Sequence, residues 1–498
     1  MACRNLAGAV IGVNPRVRQL GIALLLFTAL LSLGLTQQAW ADGRLAPPDA
    51  LPPADVPSAF WNTPLISSGP TPVVLNTNGP KPYMPKGALS YDQSAFAMGT
   101  MVWNVVFVQG DGTVANPDVW SPSEILNIES KVSAAKSYWE GLSASYNPGC
   151  RLSVTINYAN NAAAVTVPYE PTADESENWI NSAMAKLGSY NSSDRYTNVR
   201  NYNNDQRNAA KTNWTTTIFA LHNSTKNLTS YAYAYYGGPF AILENNSAGW
   251  GPQNFNMVLS HEMGHIFFAN DEYYASGAKT TDTGGYLNVA NANAERNASG
   301  TQITPPQPNA LMLNNGDYYS HTPFSPSPSS RQQYGLRDTN NNGIPDILDT
   351  APSLTGGTSG SNANSGLFNF SGTLQVTTLA NQNVLNTGFS NSKSAMTVDT
   401  VSGAYYSLDN AGPWAFSATD GDFNEYSEAL GFSLSGLSPG MHSVDVYGMN
   451  NVGNASNTLH YSFSVVPEPS TLSLLGVALL LLMGHAWRQK RPQAQRAF

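Results

Sequence analysis

Apolar residues of the chain are distributed with two different periods. Met101 to Val108 is almost continuously apolar, the pattern of a strand covered on both faces. Leu152, Val154, Ile156 and Tyr158 alternate with Ser153, Thr155 and Asn157, which predicts a half-buried strand. Between them, Ser121-Pro122-Ser123-Glu124 has the elements of a helix start: a Ser cap, Pro in the first turn and Glu in the capping-box position. Ile125, Ile128, Val132, Ala135, Trp139 and Leu142 then follow at steps of three and four, one face of an amphipathic helix. A polar helix over about Asp174 to Leu187, a strand from Trp214 to Leu221 and a strand from Tyr231 to Tyr235 continue the alternation, and Gly237-Gly238-Pro239 closes it. Strand and helix in turn predict an α/β layer with a largely parallel sheet.

After Asp349 the texture changes. Residues 351–368 are rich in Gly, Ser and Asn and read as a linker. Residues 369–465 show short alternating stretches split by turn signals, such as Asp409-Asn410 and Ser438-Pro439-Gly440, and predict an immunoglobulin-like all-β sandwich.

The two ends read as address labels. Arg4, Arg16 and Arg18 precede an apolar stretch from Leu20 to Leu35, and Ala39-Trp40-Ala41 follows as a small-x-small cleavage site. Residues 1–41 are therefore expected to be a secretory signal peptide, and the Pro-rich residues 42–90 a spacer or pro-segment. At the far end Leu472 to Trp487 forms a short apolar run, a short membrane segment, with Arg488, Lys490, Arg491 and Arg496 behind it. Seven of the 24 basic residues and one of the 33 acids lie in these ends, leaving 17 against 32 and a net charge of −15. So acidic a body argues against nucleic acid or anionic membrane as partners. Cys3 leaves with the signal, so Cys150 has no internal partner and reads as a small buried residue.

The chemistry concentrates in Asn254 to Phe268. On a helix capped by Asn254 or Asn256, His261 and His265 stand one turn apart on one face, so both imidazoles can reach one zinc ion at about 2.0–2.1 Å. Glu262 sits beside them, placed to take a proton from a zinc-bound water and hand it to a leaving amine. A catalytic zinc usually takes a third protein ligand. Asp271 lies ten residues after His261 and reaches the metal if the chain turns sharply after His265.

This segment resembles the extended zinc motif of the metzincin proteases, His-Glu-x-x-His-x-x-Gly-x-x-His/Asp. It is most similar to versions with Asp as third ligand, the snapalysin-like enzymes and bacterial peptidases ending in Asp-Glu-Tyr, here Asp271-Glu272-Tyr273. The resemblance implies a zinc metalloprotease domain over 91–350, ligands His261, His265 and Asp271, and Glu262 as base. It also implies a Met beneath the metal, for which Met312 is the candidate, and a sheet-edge strand pairing an extended peptide, from Tyr231–Tyr235 or Phe240–Leu243. The departure is Phe268, where the family has Gly. A Phe disfavours the left-handed turn, so Asn270 is the alternative turning residue, and Glu272 or His321 the alternative third ligands.

Two further motifs complete the reading. Residues 338–349 place Asp338, Asn340, Asn342, Asp346 and Asp349 at oxygen-ligand positions of an EF-hand-type loop, with Gly343 at its turn and the Ile344 carbonyl as a further ligand, which predicts a structural calcium site. Val466-Pro467-Glu468-Pro469-Ser470, the apolar run and the basic end (466–498) resemble the PEP-CTERM sorting signal of Gram-negative bacteria. That resemblance implies export through the inner membrane, recognition by an exosortase, and delivery to the surface or the medium. The leading expectation is an exported zinc endopeptidase acting on peptide or protein. A non-catalytic surface or biofilm-matrix binding protein on a degenerate protease scaffold is the alternative, and a zinc hydrolase of acylated extracellular polysaccharide a third reading.

Overall fold

The computed structural model describes residues 83–490 except 114–117, 169–170, 172, 174–177, 223–231, 247–249, 359–360, 362–365, 386–392 and 467–470. The signal-peptide stretch, residues 42–82, Tyr231 and the Pro467-Glu468-Pro469-Ser470 motif lie outside the described residues.

The apolar run forms strand β1 (Gly99–Gly110), and the capped amphipathic segment forms helix α1 (Pro122–Leu142). The Ser121 hydroxyl accepts from the Glu124 amide while the Glu124 carboxylate reaches back to the Ser121 amide, so the capping box is complete. Strand β2 (Leu152–Tyr158) and the short β3 (Val165–Val167) follow. Helices α2 (Asn178–Leu187) and α3 (Arg195–Ala210) come next, then β4 (Trp214–Leu221), β5 (Tyr233–Ala234), β6 (Phe240–Glu244) and helix α4 (Phe255–Ile266). The sheet order is β2-β1-β4-β6-β5, with β3 also on β1. All pairings are parallel except β5 with β6, so the edge strand runs against the rest.

Helices cover both faces. Met101, Trp103, Val105 and Phe107 of β1 point toward α1 and α4, in a core with Trp139, Leu259 and Met263. Val106 and Val108 point toward α2 and α3, with Trp179, Ile180 and Tyr202. Burial on both sides accounts for the unbroken apolar run. Helix α3 is not foreseen from the sequence, because its buried face is polar. Asn203 in it accepts from Asn104 Nδ2 (3.1 Å) and Thr217 Oγ1 (2.7 Å) and donates to the Pro239 carbonyl (2.8 Å).

Among the described residues the C-terminal unit has seven antiparallel strands: β7 (Ser353–Thr358), β8 (Phe368–Gln375), β9 (Val401–Leu408), β10 (Ala411–Phe416), β11 (Ser427–Leu434), β12 (Gly440–Asn450) and β13 (Leu459–Val465). They make one sheet β7-β8-β11 and another β10-β9-β12-β13, enclosing a common core of Phe370, Tyr406, Phe432 and Val446.

Three expectations change here. Residues 353–358 of the expected linker are strand β7, paired antiparallel along β8. Gly356 faces Gly372 in that pair, and a Cβ on Gly356 would meet the Ser371 carbonyl oxygen at 2.7 Å, so the glycine serves close backbone approach. Residues 83–90 of the expected spacer are docked between the two units. Lys86 and Thr397 exchange backbone hydrogen bonds (3.0 and 3.2 Å), and Tyr426 donates to the Met84 carbonyl (2.7 Å). The C-terminal run forms helix α5 (Thr471–Gln489), but no helix among the described residues is long and apolar enough to cross a membrane. Gly476, Gly484, His485 and Arg488 dilute its apolar character.

Candidate metal centre

Helix α4 leaves the C-terminal end of the sheet and is buried along its whole length. His261 Nδ1 donates to the Leu311 carbonyl (3.0 Å), and His265 Nδ1 donates to the Ala269 carbonyl (2.8 Å). These two bonds aim both rings, so that each Nε2, once it gives up its proton, turns its lone pair toward a ligand role. Both Nε2 atoms converge on Asp271 Oδ1, at 3.0 Å from His261 and 3.3 Å from His265. Ligand atoms around a tetrahedral zinc at about 2.0–2.1 Å stand about 3.3–3.4 Å apart. Two of the three spacings are close to that value, and the ligand atoms all lie within 4.8 Å of one another, so the group could hold a metal ion.

Asp271 comes back to the histidines because the chain reverses directly after α4. The Phe268 amide donates to the His265 carbonyl (2.8 Å) and the Ala269 amide to the Gly264 carbonyl (3.0 Å), the paired bonds of a Schellman ending. The left-handed residue of that motif is Phe268 itself, at φ 65°. Phe268 thus takes the place for which Asn270 is the alternative. The cost of a left-handed Phe, about 1–2 kcal/mol, is offset by complete burial of its ring.

The electrostatics follow from burial and proximity. Burial opposes a charge on His265, but Asp271 outweighs it and pushes the imidazole up to about 9. His261 is raised for the same reasons. Burial likewise opposes ionisation of Asp271, yet the two imidazoles hold its carboxyl well below the usual carboxylate range. Glu262 is the odd member. Burial pushes its carboxyl up, and its Oε2 is buried without a hydrogen-bond partner among the described residues. An acceptor kept dry and unpaired beside the ligand cluster is suited to receive a proton.

The alternative third ligands lie elsewhere. The Glu272 side chain is fully buried and engaged by Ser327, Ser330 and Asn293. His321 is bonded to Asn254 Oδ1 at the other end of α4 (2.6 Å). Met312 lies against the helix under the histidines, where a Cβ on Gly264 would meet its Sδ at 2.5 Å. Tyr236 sets its ring edge-on to His265, centroids 5.5 Å apart, and Tyr273 lies 6.3 Å from His261. Asn291 donates to the Asp271 carbonyl (2.7 Å). Asn291 and Tyr236 carry no sequence signal, being brought in from distant loops.

In the 338–349 loop, Asp338 accepts from the Asn342 and Gly343 amides, and the Asn340 and Asn342 side-chain amides both donate to Asp349 Oδ2 (2.9 and 3.1 Å). Asp346, expected as a ligand, has protein partners on both oxygens. It pairs with Arg337 Nε (2.6 Å) and accepts from Thr339 N and Oγ1. The Ile344 amide donates to Asn342 Oδ1 (2.9 Å).

No protein family matches the chain, and no curated protein does. Among solved structures it is similar to fibronectin(III)-like modules of Clostridium thermocellum CbhA, at 11% identity over 24% of this chain and 50% of that one, TM-score 0.15. It is also similar to Astrotactin-2, a vertebrate-specific perforin-like membrane protein, at 10% identity over 32% and 31%, TM-score 0.18. An engineered protein aligns over 78% of this chain and all of its own length, at 11% identity and TM-score 0.13. The chain thus spans half or less of the first two.

Proposed function

We propose that the protein is an exported zinc-dependent endopeptidase of metzincin type, with its metal held by His261, His265 and Asp271. The observation that carries this reading is the convergence of both Nε2 atoms on one Asp271 oxygen, beside a buried Glu262 whose Oε2 has no hydrogen-bond partner among the described residues. Bound zinc supplies Lewis acidity, polarising a scissile carbonyl and making a water acidic. Glu262 takes the proton of the attacking water and passes it to the amine that departs. The Leu311 and Ala269 carbonyls keep both imidazoles aimed while this happens. Edge strand β5 runs antiparallel to β6 and supports pairing with an extended peptide. The non-catalytic alternative draws on Phe268 and on the sandwich; Phe268 itself takes the left-handed position of the turn.

The 338–349 loop holds calcium in this reading, through Asp338, Asn340, Asn342, Asp349 and the Ile344 carbonyl, with Asp346 bracing the loop through Arg337. The N-terminal signal sends the chain through the inner membrane, and the Pro467-Glu468-Pro469 tail hands it to an exosortase for the surface or the medium. The zinc domain and the sandwich, taken as immunoglobulin-like, travel as one body.

The deciding experiment is Glu262→Gln. Peptide hydrolysis falls by at least about 10²-fold while native mass spectrometry still counts one zinc per chain. Undiminished hydrolysis in that variant overturns the assignment.

A further inference from the structure

We propose that Glu272 is the positioning residue of the metal centre: its buried carboxyl anchors the backbone that carries Asp271, and its amide holds the 311–312 segment, whose Leu311 carbonyl orients His261. The inference rests on the zinc reading above. Glu272 follows Asp271 directly and is 0% exposed. One carboxyl oxygen accepts from the Ser327 and Ser330 hydroxyls, and the other accepts from Asn293 Nδ2 (2.8 Å). Its amide donates to the Met312 carbonyl (2.9 Å), and its own carbonyl accepts from the Glu295 amide (2.7 Å).

These bonds tie three loops to the residue beside the third ligand. The 311–312 segment matters most. Leu311 supplies the carbonyl that orients His261, and Met312 fills the space over Gly264. On its other side this segment is fastened to the Glu272 amide. The 291–295 loop is fastened twice, through Glu272 and through Asn291 Nδ2 on the Asp271 carbonyl (2.7 Å). The 327–330 turn is capped by the same Ser327 hydroxyl that donates to Glu272. Displacing Glu272 therefore moves Asp271 and the Leu311 carbonyl together.

The chemistry of the residue fits the task. Three side-chain donors converge on it, two on one oxygen and one on the other, an arrangement that an amide side chain breaks by setting its own NH2 against a donor. An apolar residue of similar size would strand two hydroxyls and an amide in the interior. The hydrogen bonds of its carboxyl go to Ser327, Ser330 and Asn293 and to none of the three ligand side chains, so it positions them through its neighbours.

Cobalt(II) is the probe, because its visible spectrum reports the ligand set in the absence of turnover. Wild type binds one Co²⁺ with an intense, near-tetrahedral spectrum. Glu272→Ala loses about 10- to 100-fold in Co²⁺ affinity, the usual cost of removing an outer partner of a ligand, and its spectrum moves toward that of Asp271→Ala. Glu272→Gln keeps the volume but sets an amide against Asn293 Nδ2, and it loses several-fold. The double variant Glu272→Gln/Asn293→Asp exchanges donor and acceptor and recovers most of the affinity. A Glu272→Gln protein with wild-type affinity and spectrum overturns the positioning role, even where its melting temperature is lower. Failure of the wild type to bind Co²⁺ overturns the zinc reading and this inference with it.

Discussion

The ring of Phe268 fills the space that Gly237 leaves open. A Cβ on Gly237, itself at φ 72°, would meet Phe268 Cζ at 2.2 Å, and the Gly237 amide donates to the His265 carbonyl (3.2 Å). The glycine missing from the helix ending is thus matched by a glycine across from it, which lets a large side chain occupy a left-handed position without unseating His265.

Gly237→Ala is expected to destabilise the fold by about 2–4 kcal/mol, combining overpacking with a strained left-handed backbone. Phe268→Gly removes the strain but opens a cavity, and it is also destabilising. In the double variant the clash disappears, so the combined loss is smaller than the two separate losses added together. Urea unfolding of the four proteins measures that coupling, and simple additivity would contradict the packing relationship.

Much of the site is legible in the sequence for a physical reason. His261, Glu262 and His265 are local to one helix, so their mutual geometry follows from its pitch. Asp271 is legible only through the turn after α4, and Phe268 hides that turn, because its ring is accommodated by Gly237, distant in sequence. Helix α3 is obscured by a buried face of Asn and Arg, whose partners Asn104, Thr217 and Pro239 are distant in sequence. Strand β7 is obscured by glycines chosen for close approach to β8 rather than for flexibility.

Protons and metal compete for the same three side chains. His265 titrates at about 9 in the folded, metal-free chain and near 6.5 when unfolded, so folding strengthens its hold on the proton. That stabilisation is complete below about pH 6.5 and is lost as pH rises toward 9. Asp271 is shifted the other way, so its contribution is present above about pH 4 and disappears on acidification. Metal-free protein is therefore expected to melt at falling temperatures between pH 6.5 and 9. The rise in melting temperature on adding zinc grows over the same interval, because the imidazoles must shed protons to bind it. A metal-free melting temperature that climbs across this range would refute the coupling.

Calcium at the 338–349 loop has a measurable consequence. Asp349 is approached by both asparagine amides, and Ile347 and Leu348 just before it are fully buried in the core. With an affinity of about 10⁻⁴–10⁻³ M for an extracellular-type site, 10 mM Ca²⁺ stabilises the fold by about 1.4–2.7 kcal/mol. Asp338→Asn and Asp349→Asn are each expected to abolish most of that gain, and Asp346→Asn to lower stability with or without calcium by freeing Arg337. Chemical denaturation with and without Ca²⁺, at fixed zinc, separates these outcomes.

The α/β unit is not expected to stand alone. Met396, Val398 and Val452 belong to the same core as Phe96, Ile347 and Leu348, so the two units share an apolar interior. The Tyr286 hydroxyl donates to the Leu379 carbonyl (2.7 Å) and accepts from the Met396 amide (2.8 Å), while Asn454 Nδ2 reaches the Leu348 carbonyl (3.1 Å). Uncovering three buried apolar side chains costs up to about 4–9 kcal/mol, as much as a whole domain's stability. A chain of residues 83–350 should therefore unfold at much lower urea than one of residues 83–466, or fail to stay soluble, and zinc should bind it weakly because its frame has loosened. Equal urea midpoints for the two chains would mean that the shared interior is not what keeps the metal centre folded.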